Sequence, residues 1–103
     1  MSRQPAPGPA DLALLDPDGS FRARLEADCA AVASLDSGGD LSPLREIVHR
    51  LAGAAGTFGY PELGDVAISL DEAFRDGRVA EPRDVDQLRA VLEQALNVAK
   101  KSA

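Results

Sequence analysis

Residues 42–63 read SPLREIVHRLAGAAGTFGYPEL and carry the strongest fold signals in the chain. Apolar residues recur there at spacings of three and four, which predicts one amphipathic helix over residues 43–58. Ser42 and Pro43 are a typical N-cap and first helical residue, and we expect Gly59 to end the helix. The predicted core stripe of this helix is Leu44, Ile47, Val48, Leu51, Ala55 and Phe58.

The same spacing recurs before and after this stretch and predicts three further helices, over residues 21–36, 61–76 and 82–101. We expect Ser20 to cap the first of them and Gly77 to end the third. The core stripe of the first helix is predicted as Phe21, Leu25, Cys29, Val32 and Leu35. Four amphipathic helices joined by short loops predict an all-α fold, an antiparallel up-down-up-down four-helix bundle.

The N-terminus has a different composition from the helical region. Residues 1–10 contain three prolines and a glycine and are predicted to form a flexible tail, so that residues 11–103 form one domain. Residues 10–16 are expected to form a short extra helical segment. Its leucines are expected to cover one end of the core: Leu12, Leu14 and Leu15.

Composition narrows the classes of function. The chain has 103 residues, 45% hydrophobic and 27% charged, which is typical of one small globular domain. A net charge of −6 argues against binding to nucleic acid or to an anionic membrane. One histidine and one cysteine are too few for a structural zinc site, so no metal is expected. The absence of a signal-peptide pattern and of a long apolar run leads us to expect a cytoplasmic protein.

The only histidine, His49, is predicted to lie outside the core. At about 100° per residue it falls roughly 140° from Leu44 on the helical wheel, with Gly53 one turn further on and Gly56 beside it. A glycine inside a helix costs about 0.8–1.0 kcal/mol relative to alanine, and core packing gives no reason for glycines on this face. The two glycines therefore indicate open space for a group that approaches the imidazole.

An ordinary surface histidine would occupy the same position, and the residues alone leave that alternative open. Glu46 lies within helical reach of His49, but no Ser-His-Asp arrangement is visible, so the sequence does not support a hydrolytic enzyme.

The segment HRLAGAAGTFG, residues 49–59, resembles the signature of histidine-containing phosphotransfer (HPt) domains. Helix number and spacing extend the resemblance over about residues 20–100, with Leu63 and residues 68–74 similar to the next helix of the family. The matching signature positions are His49, Leu51, Gly53, Ala54, Ala55 and Gly59.

The resemblance implies that His49 accepts a phosphoryl group from a receiver-domain aspartyl phosphate or a hybrid histidine kinase and passes it to another receiver domain. It implies a phosphocarrier rather than an enzyme with its own turnover. It also implies no cofactor on this chain, with Mg²⁺ on the partner receiver, and we expect a monomer. The alternative is a helical adaptor that is not phosphorylated and docks signalling proteins through the same face.

One position departs from the family pattern: Ala52 stands where the family usually has a lysine. Nearby arginines are candidates to supply the missing cation. The expected neighbours of the phosphoryl site are Arg45, Glu46, Arg50, Ala52, Gly53 and Gly56, and Arg75 is a further candidate cation. The expected partner-binding residues, on the following helix, are Gly64, Ile68, Asp71 and Arg75.

Overall fold

The computed structural model describes residues 14–35 and 42–101. Within these ranges the chain forms a bundle of four helices and no strand: α1 Ser20–Ala33, α2 Ser42–Ala54, α3 Pro61–Arg75 and α4 Pro82–Lys101. Each helix packs against the next, and α1 packs against α4. The all-α four-helix prediction is confirmed. The alternating direction of the helices stays a prediction from the short connections.

The core is made of aliphatic side chains contributed by all four helices. The largest fully buried ones are Leu25, Val32, Leu44, Val48, Leu51, Leu63, Leu88 and Leu92. Burying one such side chain contributes roughly 1.5–3 kcal/mol, so the aligned stripes are the main source of stability. In the described part of the chain, no helix is long and apolar enough to cross a membrane.

An aromatic stack extends this core, and the N-terminal leucines do not. The ring of Phe21 stacks on Phe58 with centroids 4.4 Å apart and on Tyr60 at 5.6 Å. Leu14 and Leu15 are helical but exposed, so the prediction that they cover the core is wrong. Leu12 and the predicted tail over residues 1–10 lie outside the described residues.

Helix α1 begins differently from the prediction. Ser20 is its first residue and Gly19 its N-cap, in the left-handed region at φ 71°. The carboxylate of Asp16 accepts hydrogen bonds from the amides of Phe21 and Arg22, both at 3.0 Å. An aspartate in the preceding turn therefore accepts hydrogen bonds from free amides of the first turn. The sequence pattern predicted this capping role for Ser20.

Helix α1 also ends earlier and buries a different residue. It ends at Ala33 rather than at residue 36, which lies outside the described residues. Asp28 is buried at 3% exposure, whereas Cys29 is only half-buried. The core stripe of α1 therefore includes Asp28 in the position predicted for Cys29.

Helix α2 ends at Ala54, four residues before the predicted end. A turn over residues 55–59 follows, in which the Tyr60 amide donates to the Ala55 carbonyl at 2.9 Å and the Gly59 amide to the Gly56 carbonyl at 3.2 Å. This pair of bonds is a Schellman motif, and Gly59 adopts the positive φ of 95° that the motif requires. Helix α4 begins and ends at the predicted residues. Helix α3 ends at Arg75, one residue before its predicted end and two residues before Gly77.

Candidate functional site

His49 lies on the outer face of α2, with its side chain 71% exposed. Its neighbour Val48 is fully buried, because the aliphatic stripe of α2 faces the core. The helical wheel therefore placed the imidazole correctly.

Asp71 on α3 orients the imidazole. Its Oδ1 lies 3.2 Å from Nδ1 of His49, and its side chain is only 13% exposed. An ionised carboxylate accepts hydrogen bonds and donates none, so we assign the proton of the neutral imidazole to Nδ1 and the lone pair to Nε2. The other oxygen, Oδ2, accepts a 2.9 Å hydrogen bond from Nη2 of Arg75.

The sequence assigned Asp71 to partner binding and missed its contact with His49. The two residues lie 22 positions apart on different helices, so helical spacing within one element does not relate them. A signal was present, however: Asp71 directly follows buried Leu70, which places it at the edge of the core stripe of α3.

A recess of about 290 Å³ opens between α2 and α3 beside the imidazole. It contains two acidic and two basic side chains, and the guanidinium of Arg45 lies over the Phe74 ring, 5.7 Å from its centroid. We call it the His49 recess; its lining residues are Arg45, Glu46, His49, Asp71, Phe74 and Arg75. The structure thus brings together with His49 two of its predicted neighbours, Arg45 and Glu46, and the candidate cation Arg75.

Arg50 does not belong to this recess. Its Nη1 and Nη2 donate to the two carboxylate oxygens of Asp28, each at 2.9 Å. These bonds raise the pKa of the Arg50 guanidinium above its ordinary value. The structure does not bring this predicted phosphoryl-site neighbour to the recess, because both of its Nη atoms are bonded to a buried carboxylate that neutralises the guanidinium.

The glycines near His49 have different roles. Gly53, one turn after the histidine, is exposed, and a Cβ there would meet no atom within 4 Å, as expected for open space. Gly56 lies in the turn after α2, and Gly64 packs on it: a Cβ on Gly64 would lie 3.4 Å from the Gly56 amide nitrogen. Gly64 is buried by this close approach, so the structure does not place it with the exposed residues predicted for partner binding.

The remaining predicted residues are Ala52 and Ile68. Ala52 is half-buried and packs against the core, so it brings neither charge nor bulk to the recess. Ile68 is 44% exposed on α3 and stays a candidate for partner binding. Within residues 14–35 and 42–101, no group of three His, Cys, Asp or Glu residues is placed to hold a metal ion.

Comparison with known proteins identifies one family. The family model described as the Hpt domain matches residues 19–98, which include α1, α2, α3 and most of α4. Searches of curated proteins and of solved structures gave no match.

Proposed function

Since the chain belongs to the Hpt domain family, we propose that His49 accepts a phosphoryl group from a receiver-domain aspartyl phosphate and passes it to another receiver domain. Membership itself implies histidine phosphotransfer in a two-component phosphorelay, by a phosphocarrier module rather than an enzyme. The identity of the acceptor residue and the donor–acceptor pair are the parts that we add.

The observation that carries the proposal is the exposed imidazole whose Nδ1 is bonded to Asp71. In the reaction, the lone pair of Nε2 attacks phosphorus, the Nε2–P bond forms and the acyl O–P bond breaks, leaving the carboxylate on the donor. The ring then carries a positive charge, and the Asp71 carboxylate stabilises it through the retained Nδ1 proton. Transfer to the next receiver is the reverse of these steps.

The surrounding residues support approach by a large partner. Gly53 leaves one side of the imidazole open, and the His49 recess leaves another. In this proposal the receiver domain supplies Mg²⁺ and most of the groups that act on phosphorus. This chain contributes the nucleophile and the side chains that hold it.

Ile68 is the proposed apolar contact for the receiver. Residues 68, 71 and 75 lie at spacings of three and four, so Ile68 shares a face of α3 with Asp71 and Arg75. Ile68→Glu should slow phosphotransfer from a receiver while leaving the bundle folded. Val98→Glu is the matched control, since Val98 is 41% exposed on α4. Equal transfer rates in the two variants would remove Ile68 from the interface.

Incubation with a phosphorylated receiver domain tests the central proposal. Wild-type protein should acquire label that is labile in acid and stable in alkali, as expected for a phosphoramidate bond, and His49→Gln should acquire none while remaining helical. Retained label in His49→Gln would reject the acceptor assignment. Binding of the receiver without any label on the wild type would favour the adaptor alternative.

A further inference from the structure

A phosphoryl group on His49 creates an electrostatic problem in the His49 recess. The group brings a charge of about −1.5 to −2 at neutral pH, and the recess already contains the carboxylates of Glu46 and Asp71. Arg50 is held by Asp28 and contributes no free charge. The cations that line the recess are Arg45 and Arg75.

Of these two arginines, only Arg75 is linked to the imidazole by hydrogen bonds. Its Nη2 donates to Oδ2 of Asp71, whose Oδ1 meets Nδ1 of His49. The guanidinium is thus held one carboxylate away from the nucleophilic ring. The guanidinium of Arg45 lies instead over the face of the Phe74 ring.

We propose that Arg75 is the phosphoryl-binding cation of this site, an inference that rests on the proposed function of His49. Its side chain is 67% exposed, so a phosphoryl group can reach the guanidinium from solvent. A guanidinium has five N–H donors, and Nη2 uses one of them on Asp71. The remaining donors can bind phosphoryl oxygens on Nε2 while the Asp71 bond persists.

This arrangement also explains how a carboxylate is tolerated beside the phosphoryl group. Charge-assisted hydrogen bonds from guanidinium to phosphate are stronger than those between neutral groups. When Arg75 binds both anions, it reduces the repulsion between them, and Asp71 continues to hold the Nδ1 proton. The cation therefore comes from α3, from the turn that follows Asp71, rather than from α2.

A small donor separates phosphoryl binding from partner docking. Phosphoramidate has no protein surface: the Nε2–P bond forms, the P–N bond of the donor breaks and ammonia leaves. Arg75→Gln should lower the rate of phosphohistidine formation about tenfold or more with phosphoramidate and with a phosphorylated receiver, the loss expected for one charge-assisted bond. Arg75→Lys should recover part of the rate. Arg24→Gln, which removes an exposed arginine from α1, should match the wild type.

A second background tests whether Arg75 acts only by holding Asp71. In an Asp71→Asn protein, Arg75→Gln should still slow labelling by phosphoramidate, because the direct bond to the phosphoryl group is lost. No further slowing there would make Arg75 a positioning residue and overturn the proposal.

The other outcomes are equally decisive. A loss confined to the receiver donor would show that Arg75 is a docking contact, and an unchanged rate with both donors would exclude any role; each overturns the proposal. A larger loss in Arg45→Gln than in Arg75→Gln would assign the cation to Arg45 instead. Wild-type protein that takes label from neither donor would overturn the proposed function itself, and this inference with it.

Discussion

The ion pair between Asp28 and Arg50 gives the sharpest stability prediction. The Asp28 carboxylate is almost fully buried, with its side chain 4% exposed, and accepts two hydrogen bonds from Arg50, each at 2.9 Å. The Arg50 side chain is 36% exposed. The two partners therefore differ in what remains when the other is removed: a buried anion in one case and a cation beside solvent in the other.

Arg50→Gln should lower the free energy of unfolding by about 3–5 kcal/mol, because it leaves a buried carboxylate without its counter-charge. Asp28→Asn should lower it by only about 1–2 kcal/mol, because the Arg50 guanidinium can turn toward water. Small domains have a total stability of about 5–15 kcal/mol, so Arg50→Gln removes a large share of it. At about 4–8 °C per kcal/mol, its Tm should fall by at least 12 °C or so.

Urea unfolding followed by far-UV circular dichroism measures both changes, with Arg24→Gln as the exposed-arginine control. A loss below about 1 kcal/mol for Arg50→Gln, or one no larger than for Asp28→Asn, would refute the reasoning. Folded Arg50→Gln protein should also accept phosphoryl groups from phosphoramidate at the wild-type rate. A slower rate of phosphorylation in the folded variant would show that Arg50 acts at the phosphoryl site.

Two further substitutions and one alkylation reaction test two glycines and the cysteine. Gly53→Ala should raise the free energy of unfolding by about 0.8–1.0 kcal/mol and slow transfer from a receiver, because its methyl group enters the open side of His49; unchanged transfer would contradict the need for that space. Gly64→Leu should destabilise the bundle by about 1–3 kcal/mol in urea unfolding, because even its Cβ lies 3.4 Å from the Gly56 nitrogen, and wild-type stability would refute this packing. Burial raises the pKa of the Cys29 thiol, so less of it is present as thiolate at mildly alkaline pH. Iodoacetamide should therefore alkylate Cys29 more slowly than it alkylates glutathione, and equal alkylation rates would contradict this prediction.

Local patterns predicted most of the fold. Apolar spacing and proline or glycine signals predicted where α3 and α4 begin and end to within about one residue, because those signals act within a single turn. The predicted end of α2, at Phe58, is four residues later than the observed end at Ala54. The Schellman turn after Ala54 keeps Ala55 and Phe58 facing the core, so the apolar pattern continues where the helix does not.

The hydrogen-bonded pairs of the site and the core could not be predicted from spacing in the same way. His49 with Asp71, and Asp28 with Arg50, each join residues 22 positions apart, and their contact depends on which helices are neighbours. The position of Asp28 in the core stripe, however, agrees with its local sequence spacing. Asp28 lies seven residues after Phe21, three after Leu25 and four before Val32, which fits the core stripe better than Cys29 does.

The identity of the reacting nitrogen tests the account most directly. The chain has one histidine, so NMR of the phosphorylated, ¹⁵N-labelled protein observes a single imidazole. We predict phosphorus bonded to Nε2, with Nδ1 protonated and held by Asp71. Phosphorus on Nδ1, or a labelled protein whose imidazole carries no phosphorus, would contradict it.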